Sequence, residues 1–572
     1  MPFMSLNRRQ FLGAAIGAAA LSPRAWAAAQ DETAPAEGLP VPPLEAIALG
    51  RLAFGVSPED LAAMRALGLT PPKRLASWLE LQLDPDSIRD ADCDRRLKAA
   101  GLKTLSKSPR ELWADHMLVY QSAHGMAPDQ MASSQRKPGD APPPMMKTGA
   151  AFQKQEELPL KPVRELETAA WLRAVYSRRQ LREVMVDFWH DHFNVYGWES
   201  LSSPLFVSYD RDVLRRHALG NFREMLEAVA KSPSMLLYLD GAHSASSNPN
   251  ENYARELLEL HTLGAENYLG TRDRSTVPRD ENGVPVGYVD GDVYEAARAF
   301  TGWRVGDGQG IENTGEFKYF EAWHDRFQKV VLGRSIPELQ APLKDGLAVL
   351  DVLADHPATA RHVSLRLCRR LVADDPPAEL VAAAAKVFFD ERRAPDQLRR
   401  VVRAIALSPE FASTWGLKLR RPFELAVAMM RATGADFAPQ DDFFSANART
   451  GQRLFQCGTP DGYPDARSRW GGTTSMLERW RWANTLTGDG WKGVRLDASA
   501  RTPKELATPR QLAGFWCERS LGWPGSPAHQ EIVARFLARG AGLDAPLSRD
   551  DRRERLAPAV ALTLMSPEFQ LR

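Results

Sequence analysis

Two histidines lie one residue apart in the segment DFWHDHFNVY, residues 187–196, between aromatic side chains. The chain has only 11 histidines in 572 residues, so His190 and His192 form its densest local group of side chains that bind metals or transfer protons near neutral pH. Positions two apart on a helix point about 200° away from each other. Both imidazoles therefore reach one ion only if the helix ends or distorts here, and Asn194 and Gly197 favour such an end.

The helical spacing of apolar residues predicts where each imidazole points. His192 falls on the apolar stripe with Val184 and Phe188, so we expect it to point into the interior. His190 falls on the more polar side of the helix, toward Glu183 and Asp187.

A second segment whose side chains could bind a metal or take part in catalysis is NPNENYARELLELHTLG, residues 248–264. Arg255 and Glu259 are four residues apart, a spacing that predicts an ion pair on a helix. Glu256 shares a face with Glu259, whereas His261 follows apolar positions around the helix. The spacing is neither Glu-x-x-His nor His-Glu-x-x-His, which are the signatures of two well-known metal sites.

A third segment, EAWHDRFQKVVLG, residues 321–333, contains His324, Asp325 and Lys329. One hypothesis is that the three segments converge on a divalent transition metal and form a single site, because imidazole with carboxylate suits zinc, iron or copper. Its proposed metal ligands are His190, His192, His261 and Glu256. Its proposed catalytic residues are His190, His324, Asp325, Arg255 and Glu259.

Two alternatives to this metal site stay open. The histidines can be hydrogen-bonded core residues, with Arg255 and Glu259 as a structural pair. The same His and Asp side chains can also perform acid–base catalysis without a metal.

Other kinds of active site are excluded by their missing motifs. There is no G-x-S-x-G nucleophile elbow, no Walker loop and no dinucleotide-binding fingerprint, and GDGQG at Gly306 indicates a turn. The four cysteines are far apart and form no C-x-x-C pair, which excludes the usual zinc-ribbon and thioredoxin spacings but leaves disulfides and free thiols open. Most of the 15 tryptophans fall in helical patterns and are expected to pack the core.

The N-terminus predicts export. Residues 1–27 combine a basic start, an apolar run and small residues before a cleavage point after Ala27, which is typical of a secretory signal. The pair Arg8-Arg9, followed by Gln-Phe-Leu, indicates the twin-arginine type, and the periplasm or another exported location follows from it. Residues 28–43 are rich in Pro, Ala and acids and indicate a flexible tether.

Composition and patterning predict a mainly α fold: a large multi-helix globular domain with irregular loops and at most a small β-hairpin, for which QKVVLG and GVPVGYV are the candidate strands. We predict one helical domain over residues 44–572, with a mobile insert at 125–161, a site core at 166–335 and a C-terminal helical part at 336–572. The formal charge of +1 favours neither nucleic acid nor anionic membrane. No apolar run after the signal is long enough to span a bilayer.

Local cues mark several helix starts. A Ser or Thr followed by Pro and, two or three residues later, by an acid or Gln predicts a capped helix at Ser57, Ser108, Thr502 and Thr508. Asn250 is a further predicted cap, and Gly264 is a predicted helix stop.

The motifs of this chain resemble the bacterial family catalogued as domain of unknown function 1800. The resemblance covers nearly the whole mature chain in order: RLAFGVSPEDLAAMRALG, SWLELQL, DFWHDHFNV, NENYARELLELHTLG, DVYEAARAFTGW, HDRFQKVVLG, ALSPEF, TPDGYPD and LMSPEF. The family more often has Asn between the two histidines, so Asp191 is a departure. The resemblance implies an exported, mostly helical protein and supplies no activity or catalytic residue. It also suggests a partner, because such proteins are often encoded beside the exported family domain of unknown function 1501, which resembles alkaline phosphatases and sulfatases.

Two functions follow as hypotheses. One is a metal-dependent hydrolase or oxidoreductase with a His-rich site. The other is a non-enzymatic partner or scaffold of the neighbouring phosphatase-like protein.

Overall fold

Apolar residues recur at helical spacing through most of the chain, and the helices follow that spacing. The structure is a computed structural model that describes residues 38–124 and 157–572; the predicted signal, most of the tether and most of the insert lie outside these residues. Of the residues that the structure describes, 58% are helical, which confirms the mainly α prediction.

Helices of eight or more residues are labelled in chain order. They are α1 (Leu44–Arg51), α2 (Pro58–Arg65), α3 (Pro71–Leu83), α4 (Ala91–Ala99), α5 (Lys161–Tyr176), α6 (Gln180–His192), α7 (Phe222–Ala230), α8 (Asp290–Ala299), α9 (Lys344–Ala354), α10 (Pro357–Leu371), α11 (Ala378–Asp390), α12 (Gln397–Ala406), α13 (Pro422–Thr433), α14 (Asp441–Ala448), α15 (Thr473–Thr487), α16 (Pro509–Leu521), α17 (Pro527–Ala538) and α18 (Arg549–Leu564).

Shorter helical segments complete the architecture. The short α-helices are Pro109–Leu112, Val119–Ala123, Phe206–Ser208, Arg215–His217, Pro233–Tyr238, Glu251–Glu256, Pro409–Ser413, Ala498–Arg501 and Pro567–Gln570. Within the described residues, three turns are π-helical, with wider i→i+5 hydrogen bonding: Trp113–Leu118, Tyr209–Leu214 and Leu257–Thr262.

The predicted helix caps are mostly confirmed. The side chains of Ser57, Ser108, Thr508 and Asn250 each accept a hydrogen bond from a backbone N–H in the first turn of their helix. The prediction at Thr502 is wrong: Thr502 follows the short helix Ala498–Arg501, and its hydroxyl donates to the carbonyl of Ala498. The hydroxyl is thereby used at a helix end, so it does not cap a new helix.

The β structure consists of three antiparallel pairs within the described residues: β1 (Trp303–Asp307) with β2 (Asn313–Tyr319), β3 (Lys329–Val331) with β4 (Arg334–Ile336), and β5 (Asp436–Phe437) with β6 (Val494–Arg495). The QKVVLG strand is confirmed as β3. The GVPVGYV segment makes only isolated bridges, because its Gly and Pro residues interrupt a ladder.

One hydrophobic core cluster runs through most of these elements, from Ala46 in α1 to Phe569 near the end. Trp113, Trp171, Trp189, Trp303 and Trp516 are among its largest fully buried side chains, as expected for tryptophans in helical patterns. The four cysteines are free thiols.

The element that positions the DFWHDHF motif is α6, whose C-terminal end is covered by the loop of residues 452–465. The backbone N–H of Gly197 donates to the carbonyl of Phe455 at 2.9 Å. Gly462 has φ +74°, and a Cβ at this position would lie 2.2 Å from the carbonyl oxygen of Asp191. Only glycine lets the TPDGYPD motif approach the helix end so closely.

Candidate functional site

The predicted directions of the two histidine side chains on α6 are confirmed. Helix α6 ends at His192, and the His192 side chain is 1% exposed and points into the core. His190 lies on the polar side of the same helix, where it lines a cavity with Glu183. The two imidazoles therefore have separate surroundings.

His190 belongs to a chain of charged side chains. Its Nε2 donates to Oδ1 of Asp210 at 3.0 Å, and Nε of Arg215 donates to the other oxygen, Oδ2, at 3.3 Å. Arg215 also holds Glu183 through one nitrogen, at 2.7 and 2.9 Å. Burial alone would raise the pKa of Asp210, but Arg215 and His190 together hold it below its usual value. Asp210 is thus an ionised carboxylate that orients the imidazole.

The other ring nitrogen of His190, Nδ1, receives no hydrogen bond from the described residues. The ring lines two small cavities of about 30 and 20 Å³, each large enough for a water molecule. Phe455 lines both cavities and lies 4.7 Å from the His190 ring between centroids. Its φ of +62° is rare for an aromatic residue, and such strain concentrates at functional sites.

His192 and His261 lie side by side, with ring centroids 6.4 Å apart. Nε2 of His192 donates to the carbonyl of His261 at 3.2 Å, and Nε2 of a third histidine, His362 in α10, donates to the carbonyl of Leu260 at 3.1 Å. These carbonyls lie in the last turn of the π-helical segment, where backbone acceptors lack helical partners. Two of the three histidines therefore cap a helix end.

Burial keeps this second histidine pair neutral. Desolvation lowers the pKa of His261 to about 3 and that of His192 well below its usual value, and Arg366 adds to both shifts. Both ring nitrogens of His261 are buried without a hydrogen-bond partner among the described residues. The pair is uncharged at neutral pH, and neither histidine is placed to exchange protons with solvent.

His324 and Asp325 occupy a third environment, between α8 and α9. Nδ1 of His324 donates to the carbonyl of Thr301 at 2.8 Å, and Nε2 contacts Asp345 at 3.2 Å. Asp325 accepts from Arg298 at 2.9 and 3.0 Å. Both ring nitrogens and both carboxylate oxygens thus have protein partners.

The predicted Arg255–Glu259 pair is wrong. Arg255 instead contacts Asp290 at 3.2 Å and Glu251 at 3.8 Å. The α-helix changes to a π-helix at Leu257, so residues four apart no longer lie directly above each other. Glu256 remains close to Glu259: burial, and then the charge of Glu259, raise its pKa.

The carboxylates of the DFWHDHF motif form a buried ionic cluster. Arg421, at the start of α13, donates to both Asp187 and Asp191, and Arg370 of α10 also binds Asp187. Oδ1 of Asp191 accepts from the backbone N–H of Tyr463 at 3.2 Å. An Asn at position 191 would supply no negative charge, so Asp191 adds an ion pair to this cluster.

The proposed site residues therefore fall into separate groups. His192 and His261 meet, whereas His190, His324 with Asp325, and Arg255 each have different partners. Among residues 38–124 and 157–572, no group of three or more His, Cys, Asp or Glu side chains is arranged to hold a metal ion.

Several residues around the DFWHDHF motif were not anticipated from the sequence, namely Asp210, Arg215, Phe455 and Arg421. Asp210 and Arg215 lie in YDRDVLRRH, whose alternating charges are the only local signal. Phe455 gives no signal, because its role depends on a backbone conformation that its residue type disfavours.

A family described as "Protein of unknown function (DUF1800)" matches residues 47–571. The chain therefore belongs to this family, in agreement with the resemblance of its motifs. No curated protein and no solved structure matches it. No helix in the part of the chain that the structure describes is long and apolar enough to cross a membrane.

Proposed function

We propose that this protein is an exported enzyme whose acid–base centre is His190, oriented by Asp210. The observation that carries the proposal is the contact of 3.0 Å between His190 Nε2 and Asp210 Oδ1, together with the water-sized cavities that His190 lines. A carboxylate that fixes one imidazole nitrogen while the other is open is the arrangement by which histidine activates water or a hydroxyl group. Hydrolysis is the reaction class that this arrangement suits.

The hydrogen bonds and pKa values of the other candidate histidines favour His190 as the acid–base residue. His324 uses both ring nitrogens in contacts within the protein, and the pKa of His192 and of His261 is too low for proton transfer near neutral pH. A screen with p-nitrophenyl esters, phosphates and glycosides tests the proposal, with His190→Gln compared to wild type. Stoichiometric metal in the exported protein, lost in a folded His192→Ala variant, would instead favour a metal-dependent enzyme.

The proposed location is outside the cytoplasm. Replacing Arg8 and Arg9 with lysine is expected to abolish the mature protein in the periplasmic fraction, because the twin-arginine pathway reads this pair. Arg24→Lys, also within the signal, is the matched control and should be exported normally. Normal export of the double-lysine variant would contradict the twin-arginine assignment.

A second candidate function is binding to the phosphatase-like exported family named above, and one observation favours it. Phe327 is 71% exposed, yet its backbone is fixed: its N–H donates to Asp325 at 3.0 Å and its carbonyl accepts from Lys329 at 2.8 Å. Leu339, 72% exposed, lies beside it, with its N–H bonded to the carbonyl of Arg326. Neighbouring exposed apolar side chains on a fixed backbone are a feature of protein interfaces.

We expect Phe327→Ser to weaken co-purification with the neighbouring phosphatase-like protein by about tenfold or more, since buried aromatic anchors dominate interfaces. Leu69→Ser is the control, because Leu69 is 92% exposed and lies between α2 and α3. Equal recovery of the partner with both variants would rule out this surface.

A further inference from the structure

A polar cleft at the C-terminal end of α5, whose lining shares no residue with the His190 cavities, has no part in the proposed chemistry. It lies between the first turn of α2, α4, the end of α5 and the end of α13, and its volume is about 580 Å³. Pockets for small molecules commonly measure about 300–1,000 Å³. The cleft is therefore large enough for a ligand.

The walls of the polar cleft are held in place before any ligand arrives. Arg431, 5% exposed, binds Asp60 and donates to the carbonyl of Val175 at 3.0 Å. The guanidinium of Arg96 lies 3.7 Å above the ring of Tyr176. A preformed site loses less conformational freedom on binding and so gains affinity.

The lining has four carboxylates and four arginines, and not all of them form ion pairs with each other. Among the four carboxylates, Asp60 is bound by Arg431, and Asp92 and Asp436 are bound by Arg96 at 3.2 and 3.1 Å. Glu59, the fourth, interacts with Arg519 beside the cleft.

Two arginines of the lining, Arg178 and Arg501, have no carboxylate within ion-pair distance in the described part of the chain. One nitrogen of Arg501 donates to the carbonyl of Gly434 at 2.7 Å, which orients its guanidinium at the cleft. Arg178 and Arg501 thus lack ion-pair partners among the described residues, whereas three of the four carboxylates of the lining are ion-paired.

We propose that the polar cleft binds a small organic anion through Arg178 and Arg501. A guanidinium binds carboxylate, sulfate or phosphate oxygens in a planar, bidentate manner. Val175, Met430 and Ala435 supply apolar surface for the carbon skeleton of the ligand.

The test uses three probes with related skeletons: glucuronate, glucose 6-phosphate and glucose. Calorimetric titration of the full-length protein at low ionic strength should show at least about tenfold tighter binding of one or both anions than of glucose. Preference between glucuronate and glucose 6-phosphate distinguishes a carboxylate ligand from a phosphate ligand.

The Arg178→Gln/Arg501→Gln double variant should lose at least about tenfold in affinity for the preferred anion. Arg272→Gln is the matched control, because Arg272 is an exposed arginine outside the polar cleft. Anions that bind no better than glucose, or a double variant that binds as well as wild type, would overturn the proposal. Unchanged thermal unfolding of the double variant establishes that the loss is not misfolding, and activity at His190 tests a different site.

Discussion

Replacing His190 with glutamine is expected to slow hydrolysis of any substrate found in the screen by about 10²–10⁴-fold, the usual contribution of a positioned acid–base group. Glutamine is close in size to histidine, and its amide can still donate to Asp210 Oδ1, which accepts from His190 Nε2 at 3.0 Å. It cannot accept and release a proton near neutral pH. The fold should therefore persist while turnover falls.

The matched control is His217→Gln, because His217 is partly exposed and lies in Arg215–His217, the short helix next to Asp210. Its turnover and thermal unfolding should match those of wild type. Asp210→Asn separates orientation from proton transfer: it leaves the imidazole in place but removes the charge that fixes its tautomer. Turnover that is equal in His190→Gln and wild type would contradict the assignment.

Arg421→Met is expected to lower the free energy of unfolding by about 3–5 kcal/mol, the usual effect of removing one partner from a buried ion pair. Arg421 is fully buried, and it binds Asp187, Asp191 and Glu424. Methionine fills similar space without charge, so three carboxylates lose a partner that cannot be replaced by water. Urea unfolding of the full chain measures the change.

Burial is what makes Arg421 important, and a matched exposed pair isolates that factor. Arg403 binds Glu80 through two nitrogens at 2.6 Å each, but both side chains are well exposed. Arg403→Met should therefore cost less than about 1 kcal/mol. Arg421→Lys keeps the charge but loses the planar guanidinium geometry. Its loss in the free energy of unfolding should lie between those of Arg421→Met and Arg403→Met. A loss below about 1 kcal/mol for Arg421→Met would show that the cluster does not stabilise the fold.

The sequence predicted correctly those features that depend on helical periodicity or on a local hydrogen bond. The mainly α fold and the inward direction of His192 both follow from helical spacing. The caps at Ser57 and Thr508 follow from a local side chain to backbone hydrogen bond.

Prediction failed where a local irregularity altered that periodicity. The Arg255–Glu259 pair assumed a regular α-helix, but the π-helical turn from Leu257 to Thr262 changes the spacing. The strand expected in GVPVGYV did not form, because the Gly and Pro residues of this segment interrupt a ladder.

The sequence by itself determined which side of α6 each motif residue occupies, because side-chain direction on a helix follows from position alone. Only the tertiary structure decided what lies opposite: Asp210, 20 positions away, for His190, and Arg421, 230 positions away, for Asp191. Helical periodicity extends over a few turns, whereas these contacts depend on how distant helices pack. For the same reason His190, His261 and His324 looked like one site along the chain and occupy separate environments in the fold.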